Sequence, residues 1–203
     1  MITLRQRLLI TTAALLLGGC GNSAKLPRLP ADAVVLAFGD SLTYGTGAAP
    51  ETNYATQLAA LIGRKVVASG VPGEVSAQGL ARLPAVLDEV QPRLLILCHG
   101  GNDILRRLDE RTAANNLRAM IKLAKSRGIE VVLIGVPKPG LFLSAVAWYE
   151  DIAKEAGLPY EAKALAGILG DNELKADLAH PNAKGYARLA DAIAQLLKKA
   201  GAV

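Results

Sequence analysis

The stretch Ala33-Val34-Val35-Leu36-Ala37-Phe38-Gly39-Asp40-Ser41-Leu42-Thr43 decides how the rest of the chain is read. Its apolar run, residues 33–38, is short and is closed by Gly39, the pattern of a central strand. Working outward, similar runs recur at residues 65–68, 93–98 and 130–134, with a weaker fifth at 158–160. Segments of helical spacing lie between them. Residues 53–62 place Tyr54, Leu58, Leu61 and Ile62 on one face, and residues 76–90 are expected to break at Pro84, whose ring removes a hydrogen bond. Residues 113–127 follow Thr112 as a cap and end at Gly128, and residues 144–156 end at Gly157. A last helix is expected from near Pro181 to Ala200, with Lys198 and Lys199 at its negative end. Strands alternating with helices specify an α/β domain whose parallel sheet, of four to five strands, is covered by helices.

The chain has 203 residues, 51% of them hydrophobic, which suits one core and one domain. Aromatic residues make up only 4%, so the core is expected to be aliphatic, and a base-stacking nucleic-acid surface is disfavoured. The formal charge of +5 includes Arg5 and Arg7; without them 21 basic residues face 18 acidic ones, a mild excess with no run of cations. No nucleic-acid partner is expected.

The N-terminal end carries a separate signal. Arg5 and Arg7 precede a ten-residue apolar stretch, 8–17, too short to cross a bilayer, and Leu17-Gly18-Gly19-Cys20 brings small residues up to a cysteine. This order resembles a bacterial lipoprotein signal. The resemblance implies removal of residues 1–19 and lipidation of Cys20, with Gly21 in place of an aspartate pointing to the outer membrane, facing the periplasm. The plainer alternative is a cleaved secretory peptide with an incidental cysteine. Residues 20–30 then read as lipidated cysteine and tether, about 30 Å when extended, and 31–203 as the domain. Of the two cysteines, only Cys98 would keep a free thiol, so no internal disulfide is expected; Cys98 reads as a small buried hydrophobe.

Four short motifs carry the chemistry. Gly39-Asp40-Ser41-Leu42-Thr43 puts Ser41 at the carboxyl end of the first strand, the edge where open α/β sheets bind ligands. A serine there is otherwise a cap or turn residue. Asp177-Leu178-Ala179-His180-Pro181 sets a carboxylate three residues before an imidazole, within reach of its ring, as a base that activates a serine requires. Gly100-Gly101-Asn102-Asp103 follows the third strand, where Asn102 can offer an amide to an oxyanion, though a plain turn would look the same. Gly70-Val71-Pro72-Gly73-Glu74 follows the second strand and offers a glycine amide.

Taken together, these motifs converge on one sheet edge, and in this order they resemble the GDSL or SGNH hydrolase family. The resemblance covers roughly residues 34–197. It implies a three-layer α/β/α, flavodoxin-like fold and a cofactor-free serine esterase working through an acyl-Ser41 intermediate; two histidines without clustered carboxylates or cysteines make a poor metal site, and a monomer is expected. By the same resemblance His180 is the base, Asp177 its orienting partner, and the Ser41 amide, Gly73 and Asn102 form the oxyanion hole. Gly79-Leu80-Ala81-Arg82-Leu83-Pro84 looks like the branch of thioesterases, lysophospholipases and arylesterases, which implies a small ester or thioester substrate with a short to medium acyl group. Two other readings stay open: a carbohydrate acetylesterase on envelope polysaccharide, and a silent lipid- or glycan-binding lipoprotein. Ala68-Ser69-Gly70 stands where the family often has asparagine. His99 is unusual beside the glycines and reads as buried and structural, while Asp40 and Asp103 read as loop-ordering residues. Leu141, Phe142, Leu143, Val146 and Trp148 offer either an apolar wall for the substrate or ordinary packing.

Overall fold

A computed structural model describes residues 24–140 and 143–203. The signal segment 1–19, Cys20, the start of the tether, Leu141 and Phe142 lie outside the described residues.

Five strands form one parallel sheet: β1 (Val34–Gly39), β2 (Lys65–Gly70), β3 (Leu94–Cys98), β4 (Glu130–Ile134) and β5 (Tyr160–Glu161). Their order is β2-β1-β3-β4-β5, so the chain reverses direction across the sheet between β1 and β3. In doubly wound folds that switch point opens the crevice used for ligands. Every residue of β3, and of β1 after Val34, is buried, because helices cover both faces of a parallel sheet and leave no polar side. β2 lies on the edge and is partly exposed.

The helices are α1 (Ser41–Tyr44), α2 (Tyr54–Ile62), α3 (Ser76–Val90), α4 (Gly101–Leu105), α5 (Glu110–Ser126), α6 (Ala147–Ala156), α7 (Ala164–Leu169) and α8 (Ala183–Ala200). α2 and α8 pack together on one face of the sheet, and α3, α5 and α6 cover the other. Amphipathic spacing drives this arrangement. In α8, for example, Tyr186, Leu189, Ile193 and Leu197 are buried along one stripe while Lys198 and Lys199 sit in the last turn.

The architecture is the one expected, with local corrections. α3 runs through Pro84 unbroken, since Leu83 and Leu87 bury on the sheet on either side of it and packing outweighs the lost hydrogen bond. α5 starts three residues early because the Asp109 carboxylate, rather than Thr112, takes the free amide, that of Thr112 itself. α6 starts only at Ala147, because Ala145 is drawn into a bridge with Pro137. α8 starts at Ala183, capped by the Asn182 side chain rather than opened by Pro181. The end of the supposed tether is part of the packed body: Leu26 and Leu29 are buried, and their amides donate to the carbonyls of Ala200 and Ala202. Two leucines three residues apart cover the end of α8, which composition alone did not convey.

Candidate active site

Ser41 is the first residue of α1, two residues beyond the end of β1. Asp40 caps this short helix: its buried carboxylate accepts from Leu42 N at 3.1 Å. Burial raises the Asp40 carboxyl, opposed by His99, the Leu42 amide and His180. The turn is tight because the end of β1 touches its neighbour; a Cβ on Gly39 would strike the carbonyl of Cys98.

The Ser41 hydroxyl faces His180, with Oγ 3.0 Å from Nε2. Behind the ring, the Nδ1 proton is directed at Asp177, whose Oδ2 lies at 2.8 Å and Oδ1 at 3.0 Å. A proton on Nδ1 leaves Nε2 free to accept from serine. The loop holding this pair is braced by its own backbone. Asp177 Oδ1 accepts from Ala179 N and His180 N, the His180 carbonyl accepts from Ala176 N, and Asn182 N donates to Leu174 O. Thus His180 is held by this loop and its bridge at Pro181, three residues before the first residue of α8. Burial pushes the Asp177 carboxyl up, but His180 and the two amides outweigh it and hold it below the ordinary carboxylate range.

Two further strand ends reach the same place. Gly73 holds φ at +78°, a left-handed conformation that favours glycine, and its carbonyl accepts from Arg106 Nη2 at 2.7 Å. Asn102, in α4, donates one amide proton to the carbonyl of Glu74 at 3.0 Å, and the other has no acceptor among the described residues. Among the described residues, neither Ser41 N–H nor Gly73 N–H has an acceptor. Ser41, Gly73, Asn102 and His180 all line one cleft of about 310 Å³. Its remaining wall is mostly apolar, with Leu42, Leu105, Val136, Leu143, Leu169 and Leu178. Of the five residues weighed as a wall, Leu143 lines the cleft, Val146 and Trp148 pack against the core, and Leu141 and Phe142 lie outside the described residues.

Next to Gly73 and Asn102 lies a largely buried polar cluster of Glu74, Arg82 and His99 that the motifs did not bring together. Glu74 accepts two bonds from Arg82, at 2.8 and 2.7 Å, and sits 3.1 Å from His99 Nε2. Burial raises the Glu74 carboxyl, but the bonds and charge of Arg82, with His99, outweigh this and hold it at about 2. Arg82 also reaches Ser69 Oγ at 2.6 Å and stacks on Phe38, 4.2 Å from the ring centre. Arg82 flanks the buried face of α3 formed by Gly79, Leu83 and Leu87 and is only partly exposed, so its charge lies close to the core. Asp103 orders the neighbouring turn, accepting from Ser76 N and Oγ at 2.8 and 2.7 Å. His99 and Cys98 are fully buried, and burial pushes the Cys98 thiol well up, so it is not a nucleophile.

The model of the GDSL-like Lipase/Acylhydrolase family matches residues 37–188. Esterase TesA of Pseudomonas aeruginosa is 31% identical over 201 residues, covering 91% of this chain and 98% of the relative. Thioesterase 1/protease 1/lysophospholipase L1 of Escherichia coli is 31% identical over 141 residues, covering 66% of this chain and 67% of the relative. A crystal structure of TesA superposes with a TM-score of 0.72 at 28% identity, covering 82% of this chain and 99% of that one.

Proposed function

The chain belongs to the GDSL-like lipase/acylhydrolase family, and from that premise we propose that Ser41, His180 and Asp177 carry out ester hydrolysis through an acyl-enzyme. The enzyme is a serine esterase of this family. Ser41 Oγ attacks the acyl carbonyl as its proton passes to His180 Nε2, and Asp177 stabilises the imidazolium formed. The carbonyl oxygen, now negative, is held by the amides of Ser41 and Gly73 and by the Asn102 side chain. Collapse of this intermediate releases the alcohol or thiol with the proton from His180; water then repeats the sequence and frees the acid.

The observation that carries this reading is the 3.0 Å contact between Ser41 Oγ and His180 Nε2 at the floor of an apolar cleft. A volume of about 310 Å³ holds roughly ten water-sized units, which supports an acyl group of short to medium length. The relatives' names, esterase and thioesterase 1/protease 1/lysophospholipase L1, support esters and thioesters as the substrate class. A fluorophosphonate probe should label the wild type and leave Ser41→Ala unlabelled; an unlabelled, folded wild type would instead indicate a silent binding protein. Rates on p-nitrophenyl acetate, butyrate, octanoate and palmitate should peak at butyrate or octanoate. A sharp preference for acetate would favour sugar deacetylation.

We also propose that Cys20 is lipidated and ties the enzyme to the outer membrane, facing the periplasm. The order of charge, apolar stretch and small residues supports this, and no helix among the described residues is long and apolar enough to cross a membrane. Metabolic incorporation of an alkyne-tagged palmitate should occur in the wild type and vanish in Cys20→Ser.

A further inference from the structure

We propose that His99 is a positioning residue that sets the spacing of the two oxyanion donors lying outside the nucleophile's own helix, Gly73 and Asn102, by bridging the loops that carry them; this rests on the reading of the site given above.

The bridge is a closed ring of hydrogen bonds. Gly100 N–H donates to His99 Nδ1 at 2.9 Å, so the imidazole proton is on Nε2, which faces Glu74 Oε2 at 3.1 Å. From Glu74 the circuit returns through its own carbonyl, which accepts from Asn102 Nδ2 at 3.0 Å. Asn102 is two residues beyond Gly100, and Gly73 is the residue before Glu74. One end of the imidazole bridge is therefore adjacent along the chain to a donor of the hole, and the other is two residues from one. The circuit is also anchored from outside. Arg82 fixes both Glu74 oxygens, and Tyr149 OH donates to the His99 carbonyl at 2.7 Å.

Two features show that the ring is fitted to this place. His99 is fully buried, so water does not compete for either nitrogen. The ring lies directly against α3 at Gly79, where any Cβ would collide with Nε2. An aliphatic side chain in its place would fill the volume while leaving Gly100 N–H and the Glu74 carboxylate without these partners. Donors that stabilise an oxyanion act only if held in place before the charge develops. A bridge of this kind therefore affects the transition state more than the binding of the neutral ester.

The test compares wild type, His99→Phe, Glu74→Gln and the double variant, with every rate expressed per fluorophosphonate-labelled serine. On p-nitrophenyl butyrate, kcat should fall roughly 10–100-fold in each single variant with KM within about twofold, the range seen when groups behind a reacting site are removed. Affinity for a trifluoromethyl ketone, which forms a tetrahedral adduct on Ser41, should fall by the same factor as kcat. The double variant should lose little beyond the worse single variant, because His99→Phe removes the bridge that Glu74→Gln weakens by taking the charge off its acceptor. Unchanged kcat and ketone affinity per labelled serine, with only lower stability or a smaller labelled fraction, would overturn the proposal, as would losses that multiply. If His99→Phe does not fold, Glu74→Gln decides by the same two readouts. A wild type that neither labels nor hydrolyses would sink the esterase reading itself, a distinct outcome.

Discussion

At the scale of single residues, the proposed relay from Ser41 through His180 ends on a carboxylate at the surface. The Asp177 side chain is 55% exposed, against 21% for His180. Its neighbour Leu178 is almost wholly in solvent. A carboxylate open to water orients the imidazole but stabilises its charge less than a buried one, because solvent screens the pair and can replace it at Nδ1. Asp177→Asn should therefore lower kcat/KM only about 10–100-fold, short of the roughly 10⁴-fold loss expected for a buried triad carboxylate. His180→Ala should cost on the order of 10⁶-fold in kcat. Steady-state rates on p-nitrophenyl butyrate separate the two cases, and a loss for Asp177→Asn near that of His180→Ala would show that the carboxylate is desolvated in the working enzyme. Asn102→Ala should lower kcat by about 10²–10³-fold with little change in KM, since in the proposed mechanism its second amide proton meets charge only in the transition state. The same assays measure it.

At the scale of elements, the site depends on how closely α8 approaches the loop that carries Asp177 and His180. Gly185, in the first turn of α8, is buried, and a Cβ there would collide with the carbonyl of Leu174, at the root of that loop. Helix propensity alone would make Gly185→Ala a gain of about 1 kcal/mol. The collision is with backbone, which has little room to yield, so the expected result is a net loss of about 1–3 kcal/mol. A displaced loop also lengthens the bond from Ser41 to His180, so kcat should fall together with stability. Urea unfolding and kcat measured on the same sample test both halves. Other element boundaries follow the same logic. Sequence spacing located α3 and α5, but their details were settled by partners distant in the chain or by a better local cap, Asp109 in place of Thr112.

At the scale of the whole molecule, one aliphatic core joins the sheet to both helical layers, and it extends to a segment that composition assigned to a linker. Leu26 and Leu29, 9% and 4% exposed, close the far end of α8. A chain starting at Ala31 should be less stable than one starting at Ala24 by about 3–6 kcal/mol, the value of burying two leucines, taken as an upper bound. Comparison of the two chains by urea unfolding checks this, and equal midpoints would mean that the segment only rests on the surface. The strand-helix alternation, the aliphatic core and the order of the serine, glycine, asparagine and histidine motifs were readable from the chain itself, because periodicity and turn chemistry are local properties. The folded molecule alone decided that Ser41 and His180, 139 residues apart, lie 3.0 Å from each other. It also decided that Asp177 faces solvent, that Leu105, Leu169 and Leu178 wall the cleft, and that Glu74, Arg82 and His99 meet next to Gly73 and Asn102. Each of these depends on which surfaces pack together across the sheet, and residues far apart in sequence acquire a common environment only when the core closes around them.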